Sequence, residues 1–203
     1  MRETARAILH AAAALAVLLA WVTLPARSEE TATGKADTGG LQTRITIGGT
    51  TLTCRDFRGS VVRAIRMDDI GDVAHARVIN RMPIITLNQS RLDTLPVKLQ
   101  IFFFHHECGH HVMGHVFYPT ATSENEADCW AIKLGRSQGQ FTRKDVEDFA
   151  PHLARSRGSP FGHLPGPLRA QRLLACFDDP SEENLTDPLG FTPPAPQLAE
   201  GIR

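Results

Sequence analysis

Residues 104–111 read Phe104-His105-His106-Glu107-Cys108-Gly109-His110-His111, and residues 123–128 read Ser123-Glu124-Asn125-Glu126-Ala127-Asp128. Both stretches sit in runs of helical apolar spacing, so they are expected on two separate helices. In the first, His106 and His110 are spaced i,i+4 and project from one helix face, with Glu107 beside them. In the second, Glu124 and Asp128 share a face by the same spacing, whereas Glu126 points about 200° away from Glu124. If the two faces meet, two imidazoles and one carboxylate surround a single point, a donor set that suits one Zn²⁺ ion. Asp128 is then expected behind a ligand histidine, holding it in the metal-binding tautomer. Glu107 need not bind the metal and is placed to take a proton from water.

The surrounding sequence supplies helix ends. Thr94 and Pro96 open the first helix, which is expected to run to Phe117 before Tyr118-Pro119 stops it. Ser123 as N-cap and Glu126 at the third helical position form a capping box for the second, which Gly135 ends. Thr142-Arg143-Lys144-Asp145 opens a third helix in the same way, and a Gly/Pro-rich connection, residues 158–167, leads to a last helix over Leu168 to Phe177. Ahead of the helices the period is shorter. Thr43 to Ile47 alternates, Gly48-Gly49 is a two-residue hairpin loop, and Thr50 to Cys54 alternates again. The apolar runs Val61 to Ile65, Val73 to Ile79 and Ile84 to Leu87 are strands or a short helix. Ile84 to Asn88 is expected as an edge strand above the cleft, able to hold an extended chain by main-chain pairing. Strands first and helices after give an α+β fold, a small N-terminal β-sheet packed on a helical core that carries His106, Glu107 and His110.

The chain has 203 residues, is 42% hydrophobic and carries 22 basic against 22 acidic residues. Zero formal net charge removes the electrostatic case for a nucleic-acid partner. Residues 1–26 combine Arg2 and Arg6 with an Ala/Leu/Val-rich stretch and Pro25-Ala26, the pattern of a signal peptide or of an uncleaved anchor. Either places the rest outside the cytoplasm, secreted or periplasmic, with a membrane as partner only if the segment stays uncleaved. Residues 27–40 form a flexible lead-in, 41–179 the domain, and 180–203 a disordered proline-rich tail. The four cysteines, Cys54, Cys108, Cys129 and Cys176, permit three pairings in an exported chain. Cys108 is about 200° round its helix from His106, toward the sheet that carries Cys54. Cys129 and Cys176 both lie on the C-terminal helices. The expected disulfides are therefore Cys54–Cys108 and Cys129–Cys176.

These motifs resemble the gluzincin metallopeptidases of the HtpX and CAAX-prenyl-protease type and their small soluble minigluzincin relatives. The shared elements are HExxH followed by His115 five residues later, the ExxAD box from Glu124 to Asp128, and His163-Leu164-Pro165-Gly166-Pro167-Leu168-Arg169. The last resembles the family's His-Pro-Pro segment with an arginine six residues after the histidine, but Leu164 stands where the family has its first proline. The match covers about residues 84–176, under half of the chain. Metzincin spacing would need a glycine at 113 and a histidine at 116; the chain has Met113 and Val116.

His105 and His111 flank the motif on other helix faces and are expected on the surface or beside the site. His111 and His115 repeat the i,i+4 spacing without a glutamate after His111, a decoy, and His115 is expected to be structural. His163 either stabilises a developing oxyanion, gates the metal or packs beside Pro165. Arg169 either pairs with a carboxylate near the site or lies on a helix surface. The expected function is extracytoplasmic, zinc-dependent hydrolysis of a peptide or protein substrate. The alternative is an exported, non-catalytic zinc-binding or chaperone-like module that keeps the site.

Overall fold

The computed structural model describes residues 40–155, 157 and 163–181, all within one compact unit, Lys35–Arg203. The expected signal segment 1–26, nearly all of the lead-in and most of the proline-rich tail lie outside the described residues. The architecture is α+β. A hairpin of β1 (Ile45–Ile47) and β2 (Thr50–Leu52) precedes β3 (Cys54–Arg55), β4 (Val61–Arg66), β5 (Ala74–Ile79) and β6 (Met82–Leu87). Five helices follow: α1 (Gln89–Leu92), α2 (Val97–Val112), α3 (Ser123–Ser137), α4 (Arg143–Ala154) and α5 (Gly166–Asp178).

Gly48 and Gly49 turn the first hairpin with φ of +54° and +81°, and Ile47 pairs with Thr50. Two left-handed residues match the twist of the flanking strands. Asn80 (φ 50°) and Arg81 (φ 65°) build the same turn between β5 and β6. Without a glycine, that hairpin is hidden from a sequence reading.

The main sheet has the order β3-β4-β6-β5, with β6 parallel to β4 and antiparallel to β5. This corrects the expected edge strand. Pro83 to Leu87 are buried without a break, the pattern of a strand covered on both faces and flanked on both sides. β5 runs from buried Ala74 to exposed Ile79, pairs only with β6 and is an edge strand of the sheet.

α2 is the central helix. It packs against β5 and β6 on one side and α3 on another, and every residue from Phe104 to His111 is buried. His105 and His111 are therefore interior residues rather than surface ones. His105 Nε2 meets Gln140 Oε1 at 2.5 Å, and His111 donates Nε2–H to the Ile84 carbonyl at 3.0 Å. Burial disfavours the charged form of both rings; it pushes His105 down to about 4, against the pull of Gln140.

The helix ends also differ from expectation. α2 stops at Val112 rather than Phe117, because Gly114 adopts φ +75° two residues later. α3 is capped by Thr122, one residue before the expected Ser123, so Glu126 moves to the fourth helical position and makes no capping box. Its carboxylate instead accepts from Thr122 Oγ1 at 2.6 Å. α3 also runs past Gly135 to Ser137. Gly135 is not a stop signal but a contact, because the Phe141 ring lies against it. The capping box of Thr142 and Asp145 opens α4 as expected. Buried Lys133 donates to Asp179 and Ser181 at 2.8 and 3.0 Å, which ties the chain after α5 to α3.

Both disulfides form in the expected pairs, Cys54–Cys108 joining β3 to α2 and Cys129–Cys176 joining α3 to α5. They close loops of 54 and 47 residues, each worth about 4 kcal/mol in the chain-entropy model. Two such bonds suit an oxidising, extracytoplasmic compartment. Among the described residues no helix is long and apolar enough to cross a membrane.

A Cβ at position 135 would lie 2.1 Å from Phe141 Cδ2, and the phenyl ring is 3% exposed. Alanine gains about 1 kcal/mol of helix propensity over glycine, but overpacking a filled core costs about 1–3 kcal/mol. Gly135→Ala should therefore lower the urea midpoint, with a net loss of up to about 2 kcal/mol.

Candidate metal centre

α2 carries His106, Glu107 and His110, and α3 carries Glu124 and Asp128. The two helices cross where Gly109 faces Ala127. A Cβ on Gly109 would stand 3.1 Å from the Trp130 ring and 3.3 Å from the Ala127 backbone. A side chain at 109 would push the helices apart by a few tenths of an ångström, and glycine permits the close approach that lets Glu124 reach the imidazoles. The two small residues fill the middle of HECGH and of the ENEAD box, a packing role that helical spacing alone did not indicate.

The distances define the site. His106 Nε2 lies 3.1 Å from His110 Nε2 and 3.1 Å from Glu124 Oε2, and His110 Nε2 lies 3.5 Å from Glu124 Oε1. Ligands held about 2.0–2.1 Å from a tetrahedral zinc are separated by about 3.3 Å. The two nitrogens and the two Glu124 oxygens thus stand at separations close to that value, each oxygen facing one imidazole. His163, just before α5, places Nε2 2.7 Å from Glu124 Oε2, hydrogen-bonding distance, and its ring stacks on His106 at 6.0 Å. His106, Glu124 and His163 offer ligand atoms within 4.8 Å of one another, a group that could hold a metal ion.

The electrostatics demand a cation. Burial works against a charge on His106, but Asp128 and Glu124 outweigh it and push its pKa up to about 10. Burial also works against the Glu124 carboxylate, yet bonds from His106, His110 and His163 hold it far below the ordinary carboxylate range. A proton or a metal ion can supply the required charge.

Behind the site, His106 Nδ1 is 2.8 Å from Asp128 Oδ1. Arg169 Nε and Nη2 donate to the two Asp128 oxygens at 2.7 Å each. Burial works against the Asp128 carboxylate, but the His106 contact and then the Arg169 fork outweigh it and bring its pKa down to about 2. Arg169 is thus an interior residue, 6% exposed, and not a helix-surface arginine. His115 falls outside α2, since the helix has ended; its Nδ1 lies 3.2 Å from His110 Nδ1 and its Nε2 3.0 Å from Glu126 Oε2. The His111/His115 spacing brings nothing together, because His111 faces the Ile84 carbonyl instead.

A cleft of about 540 Å³ opens over these groups. Glu107 lines it beside His106 and His110, with Leu99 and Phe103 of α2 on one wall and Ala74 and Ala76 of the β5 edge on another.

Glu124→Ala should lose stoichiometric metal after dialysis, whereas Glu126→Ala should retain it at saturating zinc; elemental analysis of the purified proteins reads both. Arg169→Leu leaves a buried carboxylate short of its cation and should cost about 3 kcal/mol of folding free energy by urea titration.

No protein-family model matches the chain, and neither a curated protein nor a solved structure matches it.

Proposed function

We propose that the chain is a zinc-dependent peptide hydrolase acting outside the cytoplasm, a small soluble gluzincin of the HtpX and CAAX-prenyl-protease type. The observation that carries this reading is the cluster of His106 Nε2, His110 Nε2 and the two Glu124 oxygens, with separations of 3.1 Å between the nitrogens and 3.1 and 3.5 Å from them to Oε2 and Oε1, beside a glutamate that the cluster does not use. His106, His110 and Glu124 would hold the ion, and three protein ligands leave a position open. Zinc bound there supplies Lewis acidity, lowering the pKa of water toward 7 and polarising a carbonyl.

Glu107 takes the proton from the attacking water and delivers it to the departing amine, so one carboxylate serves as base and then as acid. Its position in the cleft, one residue from His106, puts it where the water must be. Asp128 and Arg169 keep His106 from turning. His163 orients Glu124 and lines the same cleft, from which its N–H can turn toward a carbonyl oxygen that gathers charge. The substrate lies extended along β5, whose free main-chain groups border the cleft from Ala74 to Ala76. That role passes to β5 from the Ile84–Asn88 run, which is the interior strand.

A non-catalytic zinc module is the second reading, favoured by the closeness of His163. With His163 as a fourth protein ligand the site would be closed, as in structural zinc centres.

Glu107→Gln separates the two. It keeps volume and hydrogen-bonding reach, so zinc content and thermal midpoint should stay near wild type. Chelator-sensitive cleavage of a peptide library should fall about 10²–10⁴-fold. Wild-type cleavage by Glu107→Gln would rule out the mechanism, and stoichiometric zinc without chelator-sensitive cleavage in the wild type would favour the closed module.

A further inference from the structure

We propose that His115 and Glu126 form a second orienting relay at this centre, positioning His110 as Asp128 positions His106, a role that rests on His110 being a metal ligand. To offer Nε2 to a cation, His110 must carry its proton on Nδ1, and a buried N–H needs an acceptor. Among the described residues no carboxylate stands within hydrogen-bonding distance of His110 Nδ1; that atom is 3.2 Å from Nδ1 of His115, the two rings 5.3 Å apart and inclined at 68°.

His115 can accept there only if its own proton sits on Nε2. That nitrogen is 3.0 Å from Glu126 Oε2, and the other Glu126 oxygen accepts from Thr122 Oγ1 at 2.6 Å. Each link fixes the next. Thr122 holds Glu126, Glu126 selects the His115 tautomer, and His115 Nδ1 accepts from His110 Nδ1–H. The relay begins at a half-exposed carboxylate and ends at the metal face of His110, through a ring that is 8% exposed.

The fold builds this contact deliberately. α2 ends at Val112, and the left-handed Gly114 turns the chain so that His115 comes back against His110 instead of continuing the helix. The one-residue shift of the α3 cap does the same for Glu126, freeing its carboxylate from the helix N-terminus. The two ligand histidines are therefore held differently. His106 rests on a buried carboxylate paired with Arg169. His110 rests on a neutral imidazole, the weaker acceptor, which Glu126 polarises from behind.

The test is zinc affinity of the full-length, disulfide-intact protein, measured by competition with a chromophoric chelator, together with nitrogen-15 spectra of the zinc-loaded imidazoles. His115→Phe should weaken zinc binding about 10–100-fold and remove the hydrogen-bonded His110 Nδ1–H signal. His115→Asn, whose amide oxygen can accept from the same N–H, should recover most of the loss, which a merely space-filling His115 would not require. Glu126→Ala changes a half-exposed side chain that the fold tolerates, and should weaken binding less than His115→Phe but measurably. Wild-type affinity in folded His115→Phe or in Glu126→Ala overturns the relay, as does His115→Asn no better than His115→Phe. His110→Ala is the control: if it binds zinc as tightly as wild type, the ligand assignment itself fails and the relay with it.

Discussion

Asp128 is a carboxylate with a side chain only 3% exposed, and a buried charge of that kind is tolerated only when its oxygens are fully engaged. Arg169 donates to both oxygens and His106 meets one of them. Three elements are thereby pinned to a single group: α3 through Asp128, α5 through Arg169 and α2 through His106. Cys129, the next residue along α3, is bonded to Cys176 of α5 and secures the same junction covalently. The cost of burying this carboxylate is offset by the charge-assisted bonds from Arg169 and the contact with His106, whose geometry leaves each partner one place to sit. The Nε2 edge of His106 is aimed at Glu124 and His110 as a consequence.

The opposite side of α2 is secured in a different way. Cys108 points away from the cleft and is bonded to Cys54 of β3, while His111 donates to β6. A residue in the middle of the HExxH segment is thus a covalent anchor to the sheet. The helix that carries the candidate site cannot rotate or slide without breaking a disulfide on one side or the Asp128 network on the other. Rigidity of this kind suits a site whose ligand atoms must hold their separations to a few tenths of an ångström.

Much of this was legible in the sequence because it is local. The i,i+4 spacing of His106 and His110, and of Glu124 and Asp128, follows from helix geometry alone. The Gly48-Gly49 turn and the Thr142/Asp145 capping box are chemistries of a few neighbouring residues. The direction of Cys108 relative to His106 follows from the angle per residue. Where the reading missed, the signal was weaker or of another kind. Asn80-Arg81 turns a hairpin without glycine, and the stop at Gly114 is outweighed in the sequence by the more conspicuous Pro119. Thr122 and Ser123 are both good caps, and only the Thr120–Ser123 contact, with Thr120 N–H bonded to Ser123 Oγ at 2.8 Å, takes Ser123 out of that role.

By itself the sequence determined the order of strands before helices, the two motif-bearing helices, the disulfide pairing and the identity of the residues able to meet at one point. These depend on period, capping and side-chain chemistry, which neighbours along the chain decide. The tertiary structure decided which strand lies at the edge, which histidines are interior, and what stands behind each imidazole. Those depend on layering: β6 is central because β4 and β5 flank it, and His105 and His111 are buried because α2 is covered on several sides. The partnership of His115 with Glu126 belongs to this second group. It joins a loop residue to a helix residue eleven positions on, and no periodicity connects them; only the turn at Gly114 and the packing of α3 on α2 bring the two side chains together.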